Sequence, residues 1–327
     1  MLVSIVIPIF QSEKYIEKCA RSLFEQTFKD IEYIFVDDAS QDKSVEVLQR
    51  VIEDYPERKP MVKVIRHTEN KGSAMARSAG LHKATGDYVI QVDSDDYTSK
   101  DYISCLALKA EESKADIVIC DFYYVYANGK TKKFVFTELC EDVDASMANV
   151  LSGKMHNSLC NKLIRLSMFA KHDIDFIEGV NMFDDKSVVF KALYYSKKVV
   201  AVNKPLYYYN KNNPNSITSQ SKVKAIPSAL QVVEEIDDFF KGKEMSSRVH
   251  LAIDHFKIGI KGLILFYSMK EEDYDNELMK TDFKTASIIS HPTIPIYYKF
   301  IIIAHQWKLR SIENLIRRLL FFFKNKL

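Results

Sequence analysis

The chain has 327 residues, 47% of them hydrophobic and 28% charged, which excludes a disordered, collagenous or disulfide-scaffold protein. The 46 basic and 44 acidic residues nearly cancel, so the molecule as a whole is no polyanion binder, and nucleic acid is not an expected partner. The length suits about two domains, each able to bury a core. Five cysteines without a CxxC pair read as reduced cytosolic thiols. HExxH and a Cys/His cluster are missing from the sequence, which argues against a zinc site. The start, Met1 to Pro8, lacks a basic n-region and reads as a strand rather than a signal peptide. No apolar run approaches the roughly 18 residues of a membrane span.

Strand and helix signals alternate through the first half. Residues 2–9 form a short apolar run, as in a buried parallel strand. Helical spacing follows at Ile16, Cys19, Ala20, Leu23 and Phe24, with Ser12 as the expected N-cap. Residues 31–36 are the second strand, and Val45, Leu48, Val51 and Ile52 give the next helix face. Residues 61–65 are a strand, 73–84 a small-residue helix, 88–92 a strand, 99–113 a helix and 117–120 a strand. Repeated βα units predict an α/β fold with a mostly parallel central sheet and flanking helices.

Ligands of such sheets sit beyond the carboxyl ends of the strands. There the sequence places Asp37 and Asp38 after strand two, and Asp93, Asp95 and Asp96 after strand four. Gly72, Gly80 and Gly86 crowd into one short stretch nearby, which indicates a special backbone path.

Further on, 122–136 reads as a hairpin about Asn128-Gly129. Residues 157–169 and 184–195 read as helices, and 199–202 as a short strand before the run Leu206 to Tyr209. Only helical patterns remain beyond about 220. The expected domains are therefore 1–220, catalytic, and 221–327, helical.

Pro8 to Gln11 is not GxGxxG, which disfavours a dinucleotide site. Gly129-Lys130-Thr131 resembles a P-loop end, but Tyr124 stands where its first glycine belongs. Asp93-Ser94-Asp95-Asp96 puts two or more carboxylates on one rim, where they repel unless a cation or donors compensate. Mg²⁺ or Mn²⁺ needs only one or two such ligands when phosphate oxygens supply others. The competing reading is an acidic cap on the following helix.

These motifs stand in fixed order. Ser4-Ile-Val-Ile-Pro8, Val36-Asp-Asp-Ala-Ser40, Asn70-Lys-Gly72, Ala76-Arg77-Ser-Ala-Gly80, Gly86-Asp87 and Val92-Asp-Ser-Asp-Asp96 together resemble family 2 glycosyltransferases. The resemblance is dense over about the first 110 residues and weaker to about 220. It implies a GT-A fold and an inverting, metal-dependent transfer of one sugar from a nucleotide-sugar, expected to be a UDP-sugar. The acceptor would be a saccharide or a lipid-linked saccharide in cell-surface polysaccharide synthesis.

By the same resemblance Asp38, with Asp37 beside it, accepts the uracil N3–H, and the backbone of Pro8 and Phe10 lines that pocket. Arg77 lies near base and diphosphate, or else forms a surface pair with Asp87 or Glu69. Asp93 meets ribose or metal, Asp95 the metal, and Asp96 caps the next helix. Asp184-Asp185 resembles the family's Glu-Asp element, whose second acid is the catalytic base, here Asp185. The segment Leu159 to Leu163 bounds the acceptor side, while the tyrosine run is either site or core.

The chain departs from the family pattern at Ala39 for Gly, Ser78 for Asn, Phe10-Gln11 for Tyr-Asn and Asp184 for Glu. The QxxRW motif of processive synthases is absent around Trp307. Two rivals remain. A sugar nucleotidyltransferase would need a Gly-rich, Arg-containing loop after strand one. A non-catalytic scaffold of polysaccharide assembly would have a broken aspartate cluster.

Residues 295–327 hold seven basic residues against Glu313 alone. Leu309, Ile312, Leu315, Ile316, Leu319 and Phe323 share one helical face, with Arg310, Arg317 and Lys324 opposite. This reads as a membrane-surface helix, which would place a cytoplasmic enzyme peripherally on the inner face of the cell membrane. The alternative is a terminal helix packed on the enzyme or on a second copy in a homo-oligomer.

Overall fold

The computed structural model describes residues 1–126, 131–134, 142–214, 216, 222–267, 276–309, 311–313 and 315–316. The chain divides into two compact units, Met1–Ser146 with Asn157–Ser219, and Met147–His156 with Gln220–Leu327.

The first unit is built on a nine-stranded sheet. Its strands are β1 (Val3–Ile9), β2 (Ile31–Asp37), β3 (Val62–Arg66), β4 (Tyr88–Gln91), β5 (Tyr97–Thr98), β6 (Ile117–Val125), β7 (Thr131–Phe134), β8 (Lys162–Arg165) and β9 (Val199–Asn210). The order is β3-β2-β1-β4-β8-β6-β9-β5, with β7 pairing β6. The β3-β2-β1-β4 half is all parallel. Strand β8 enters antiparallel to both neighbours, β6 and β9 run parallel, and β5 closes antiparallel on β9.

Between these strands the chain forms α1 (Ile16–Phe24), α2 (Ser44–Glu53), α3 (Ser73–Leu81), α4 (Tyr102–Ser113), α5 (Val143–Leu151), α6 (Ser167–Lys171) and α7 (Asp184–Tyr195). Strands β2 and β4 are buried throughout, as continuous apolar runs require when helices cover both faces. Helix α1 buries Ile16, Cys19, Ala20, Leu23 and Phe24, one stripe at helical spacing. Helix α3 lies close to the sheet because Gly80 lacks a side chain. A Cβ there would stand 2.3 Å from Cγ1 of Val6.

Several sequence expectations are corrected. Residues 157–169 are not one helix: a strand precedes α6, which begins only at Ser167. Leu159, Leu163 and Leu166 imitate a helical stripe, but Lys162–Arg165 is a strand whose Ile164 pairs with Val89 and Ile117. Cross-strand pairing outweighs the local pattern there. Ser12 does not cap α1, because its hydroxyl bonds the Phe10 carbonyl and Ser94 Oγ. Helix α4 starts at Tyr102, not 99, since Tyr97 and Thr98 pair with Tyr208 and Tyr207. The runs 199–202 and 206–209 are one strand with an irregularity in its pairing to Cys120–Phe122. Strands β6 and β7 pair as a hairpin would, Phe122 opposite Phe134. The Asn128-Gly129 turn itself lies outside the described residues.

The second unit holds α8 (Ile226–Phe240), α9 (Ser247–Tyr267), α10 (Glu277–Lys280), α11 (Thr285–Ser290) and α12 (Ile296–Gln306). Helices α9 and α12 meet where Gly262 faces Tyr298. A Cβ on Gly262 would stand 2.7 Å from that ring. Among the described residues, no helix is long and apolar enough to cross a membrane. Of the residues read as an amphipathic tail, Arg310, Arg317, Leu319, Phe323 and Lys324 lie outside the described set.

Ala39 replaces the glycine of the resembled pattern, yet its φ is +58°. An L-residue with a Cβ pays about 1–2 kcal/mol for this left-handed conformation. Ala39→Gly should therefore raise unfolding stability, by up to about 1 kcal/mol once glycine's chain entropy of roughly 0.5–1 kcal/mol is subtracted. Denaturant unfolding measures it, and a destabilised variant would contradict the strain.

Candidate active site

The parallel strands deliver their following loops to one edge of the sheet. At the end of β2, Asp37 and the following Asp38 are both buried. Asp37 accepts the Ser40 N–H at 3.1 Å and pairs with Arg66 Nε at 2.9 Å. Asp38 takes the N–H groups of Lys71 and Gly72, each at 2.8 Å, with His67 Nδ1 also at 2.8 Å. It thus anchors the loop that leads into α3. Gly72 has φ +87°, and a Cβ on it would meet Asn181 Oδ1 at 2.0 Å, so only glycine fits. Pro8, next to last in β1, is half-buried, and Phe10, 47% exposed, stands just beyond the strand.

Arg77 projects from α3 into three carboxylates. Its Nη2 meets Asp93 at 2.6 Å, its Nη1 bonds Asp184, and Nη1 stands 3.5 Å from Asp185 Oδ1. Arg77 is 10% exposed and Asp184 9%. Burial alone would lower the Arg77 pKa, but Asp184, Asp185 and Asp93 outweigh it and keep the guanidinium charged. The surface pair with Asp87 or Glu69 considered from sequence does not form.

Burial raises the Asp184 pKa against the pull of Arg77. Asp185 is pushed up to about 7 by burial, with Arg77 opposing and Asp184 and Asp93 adding to the rise. Asp185 Oδ2 accepts the Leu159 N–H at 3.2 Å, whereas its buried Oδ1 accepts no hydrogen bond among the described residues. Phe183, just before the pair, has φ +67°, an outlier for an aromatic residue that turns the chain sharply into α7.

The acidic loop after β4 is held from β9. Tyr207 is fully buried and its hydroxyl donates to Asp96 Oδ2 at 2.5 Å, while the Asp93 N–H donates to the same hydroxyl at 3.2 Å. Asp96 also accepts the Asn210 N–H at 2.7 Å. Asp96 is therefore no helix cap. It is a buried anchor five residues before the Asp101 position that precedes α4. Burial, with Asp95 and Asp93 nearby, raises its pKa well above the carboxylate range. Asp95 Oδ2 accepts from Asn213 Nδ2 at 2.8 Å, and its pKa is raised by burial and by Asp93.

Asp93 and Asp95 could hold a hard divalent cation. Their donors are all oxygen, and their mutual repulsion is what a cation relieves. Among the described residues no group of three or more acidic, His or Cys side chains forms a cage. A diphosphate would therefore have to supply the remaining ligands.

Sequence reasoning passed over Tyr207, Asn210, Asn213, Asn181 and Lys162. The tyrosine run and the 159–163 segment contain two of them, Tyr207 and Lys162, but local pattern does not indicate which side chain turns inward.

Residues 4–173, just over half of the chain, match the profile of Glycosyl transferase family 2. The chain belongs to that family and is a glycosyltransferase. It is 32% identical to the uncharacterized glycosyltransferase EpsJ of Bacillus subtilis over 237 residues, covering 70% of this chain and 67% of EpsJ. It is also 27% identical over 213 residues to the poly(ribitol-phosphate) β-N-acetylglucosaminyltransferase TarS of Staphylococcus aureus, covering 64% of this chain but 35% of TarS. The crystal structure of TarS residues 1–349 with UDP-GlcNAc superposes at a TM-score of 0.72, with 20% identity, over 97% of this chain and 91% of that one. The mannosyltransferase PcManGT of Pyrobaculum calidifontis with GDP-Man and Mn²⁺ gives 0.56 at 13% identity over 96% and 84%. The fold is GT-A, a mostly parallel sheet with flanking helices and a helical C-terminal region.

Arg77→Met should leave the three acids without their cation. Breaking a buried ion pair on one side costs about 3–5 kcal/mol. Denaturant unfolding at neutral pH should show that loss, and it should shrink on acidification as the carboxylates protonate. A loss under about 1 kcal/mol, the scale of a surface pair, would contradict the central role of Arg77.

Proposed function

We propose that the catalytic region, residues 1–220, transfers one sugar with inversion from a UDP-sugar to a saccharide or lipid-linked saccharide acceptor during cell-surface polymer synthesis. The observation that carries this reading is the asymmetry of Asp185. One oxygen is gripped by Leu159 N–H, and the other is buried with no hydrogen bond among the described residues, Arg77 Nη1 standing 3.5 Å away. A carboxylate so placed can accept the proton of an acceptor hydroxyl as that oxygen attacks the anomeric carbon. A pKa of about 7 suits a general base working near neutrality.

Donor recognition falls to the carboxyl ends of β1 and β2. Asp38, beside Asp37, accepts the uracil N3–H against the backbone of Pro8 and Phe10. Each carboxylate oxygen has two lone pairs, so anchoring the Lys71–Gly72 loop does not exhaust Asp38. Arg77 faces the diphosphate side and keeps Asp93 and Asp184 in place. A bound Mn²⁺ or Mg²⁺, held by Asp93 and Asp95, would offset charge on the leaving nucleotide. The UDP-GlcNAc complex of TarS and the Mn²⁺ complex of PcManGT support these choices through a shared fold. The TarS activity on poly(ribitol phosphate) supports a cell-surface polymer as acceptor.

The test is UDP release from a panel of UDP-sugars, with Mn²⁺ and with chelator. Release should require the cation. Asp185→Asn should cut turnover by roughly 10²-fold or more with little change in UDP affinity. Because the base must be ionised, wild-type turnover should rise with pH through about 7. Turnover that survives Asp185→Asn but not Asp184→Asn would move the base by one residue.

Peripheral membrane attachment is the second part of the proposal. Helix α12 packs Tyr298, Ile301 and Ile302 inward, while Ile296, Phe300 and Trp307 are 68%, 57% and 62% exposed. At 3.6 residues per turn these three fall on one face. Together with the basic excess of 295–327 they suit an anionic bilayer, each basic residue contributing about 1 kcal/mol. Replacing Ile296, Phe300 and Trp307 together by Ser should weaken flotation with phosphatidylserine vesicles and leave the melting temperature nearly unchanged. Equal flotation of both proteins would remove this part of the proposal.

A further inference from the structure

Lys162 is the first residue of β8, and its side chain is fully buried. Removing an ammonium from water costs several kcal/mol after relaxation. A methionine would fill similar volume without that cost, so the retained charge calls for a use.

The contacts supply one. Lys162 Nζ donates to the Ser158 carbonyl at 2.7 Å and to Asn161 Oδ1 at 3.0 Å. Ser158 Oγ donates to the same Asn161 oxygen at 3.1 Å. Asn161 Nδ2 donates to the Cys120 carbonyl at 2.7 Å, and Cys120 N–H returns to the Asn161 carbonyl at 3.0 Å. Lys162 N–H closes the turn on the Leu159 carbonyl at 3.1 Å. The turn 158–162 is thus wound around one buried cation and riveted to β6. The same turn presents the Leu159 N–H, which meets Asp185 Oδ2 at 3.2 Å.

We infer that Lys162 is a positioning residue for the proton acceptor: it winds the 158–162 turn so that Leu159 N–H holds Oδ2 of Asp185, while Oδ1, 3.5 Å from Arg77 Nη1, keeps its hydrogen-bonding capacity for the acceptor hydroxyl. The inference rests on Asp185 as the base and deepens that assignment. Lys162 acts through the turn and through its charge. The charged and titratable groups around Asp185 are Arg77 from α3, Asp184 from α7, Asp93 from the end of β4, the Cys160 thiol and Lys162. Those around Lys162 include Asp185 and the Cys120 and Cys160 thiols. Burial pulls the Lys162 pKa down to about 8, with these neighbours opposing, so the amine is charged at neutral pH. A cation there favours the ionised form of Asp185.

The experiment compares wild type, Lys162→Met and Lys162→Gln in UDP release, with UDP affinity by calorimetry and melting temperature alongside. Lys162→Met should lose about tenfold or more in kcat, the scale of a displaced reacting group, with UDP affinity within about twofold. Its acid limb should move to higher pH, because loss of the cation raises the Asp185 pKa. Lys162→Gln retains a donor for the Ser158 carbonyl and should recover part of kcat but not the limb. It carries the test if Lys162→Met does not melt cooperatively. A variant with the wild-type limb and kcat, or one losing UDP affinity in step with kcat, overturns the inference. If Asp185→Asn itself retains full turnover, the base assignment fails first, and that outcome is read independently of Lys162.

Discussion

One guanidinium holds the site together. Arg77 reaches from α3 to the end of β4 through Asp93 and to the start of α7 through Asp184. These elements are distant in sequence, and no backbone hydrogen bond described here joins them at that point. Three acids around one cation leave a net negative pocket in low dielectric, which explains why Asp184 and Asp185 both titrate high. Arg77 makes the cluster tolerable without neutralising it.

Around this centre the fold spends local strain where direction matters. Phe183 and Ala39 both sit at positive φ, each next to an acidic pair of the rim. In both places the chain must turn immediately after or before an element that cannot move. The opposite strategy serves the Asp93–Asp96 loop, which is fastened without strain by Tyr207, Asn210 and Asn213 from one strand and its continuation. Arg77 and Ser12 hold Asp93 and Ser94 of the same loop, so its acids are presented rigidly. A site built from strand ends and buried side chains is better preorganised than one built from free loops.

Legibility in the sequence followed the range of the interactions. The parallel half was readable because each buried strand is a continuous apolar run and each helix a periodic stripe. The rim acids were readable because strand ends are marked by those runs. The antiparallel insertion of β8 was not, since Leu159, Leu163 and Leu166 fit a helical stripe until Ile164 finds Val89 and Ile117. Asp96 looked like a cap for the same reason. Nothing local announces that Tyr207, more than a hundred residues away, will claim its carboxylate.

By itself the sequence determined the family, the sheet's parallel half and the edge on which the acids gather, because these depend on local periodicity and on short ordered motifs. Tertiary structure alone decided which acids share Arg77, which oxygen of Asp185 takes a backbone N–H and which faces only the guanidinium, and why a lysine is buried in the turn beside them. Those outcomes depend on electrostatics among groups brought together across the fold. Charge pairing in a buried site is set by ångström distances and by the loss of water, and neither is written in the spacing of residues along a chain.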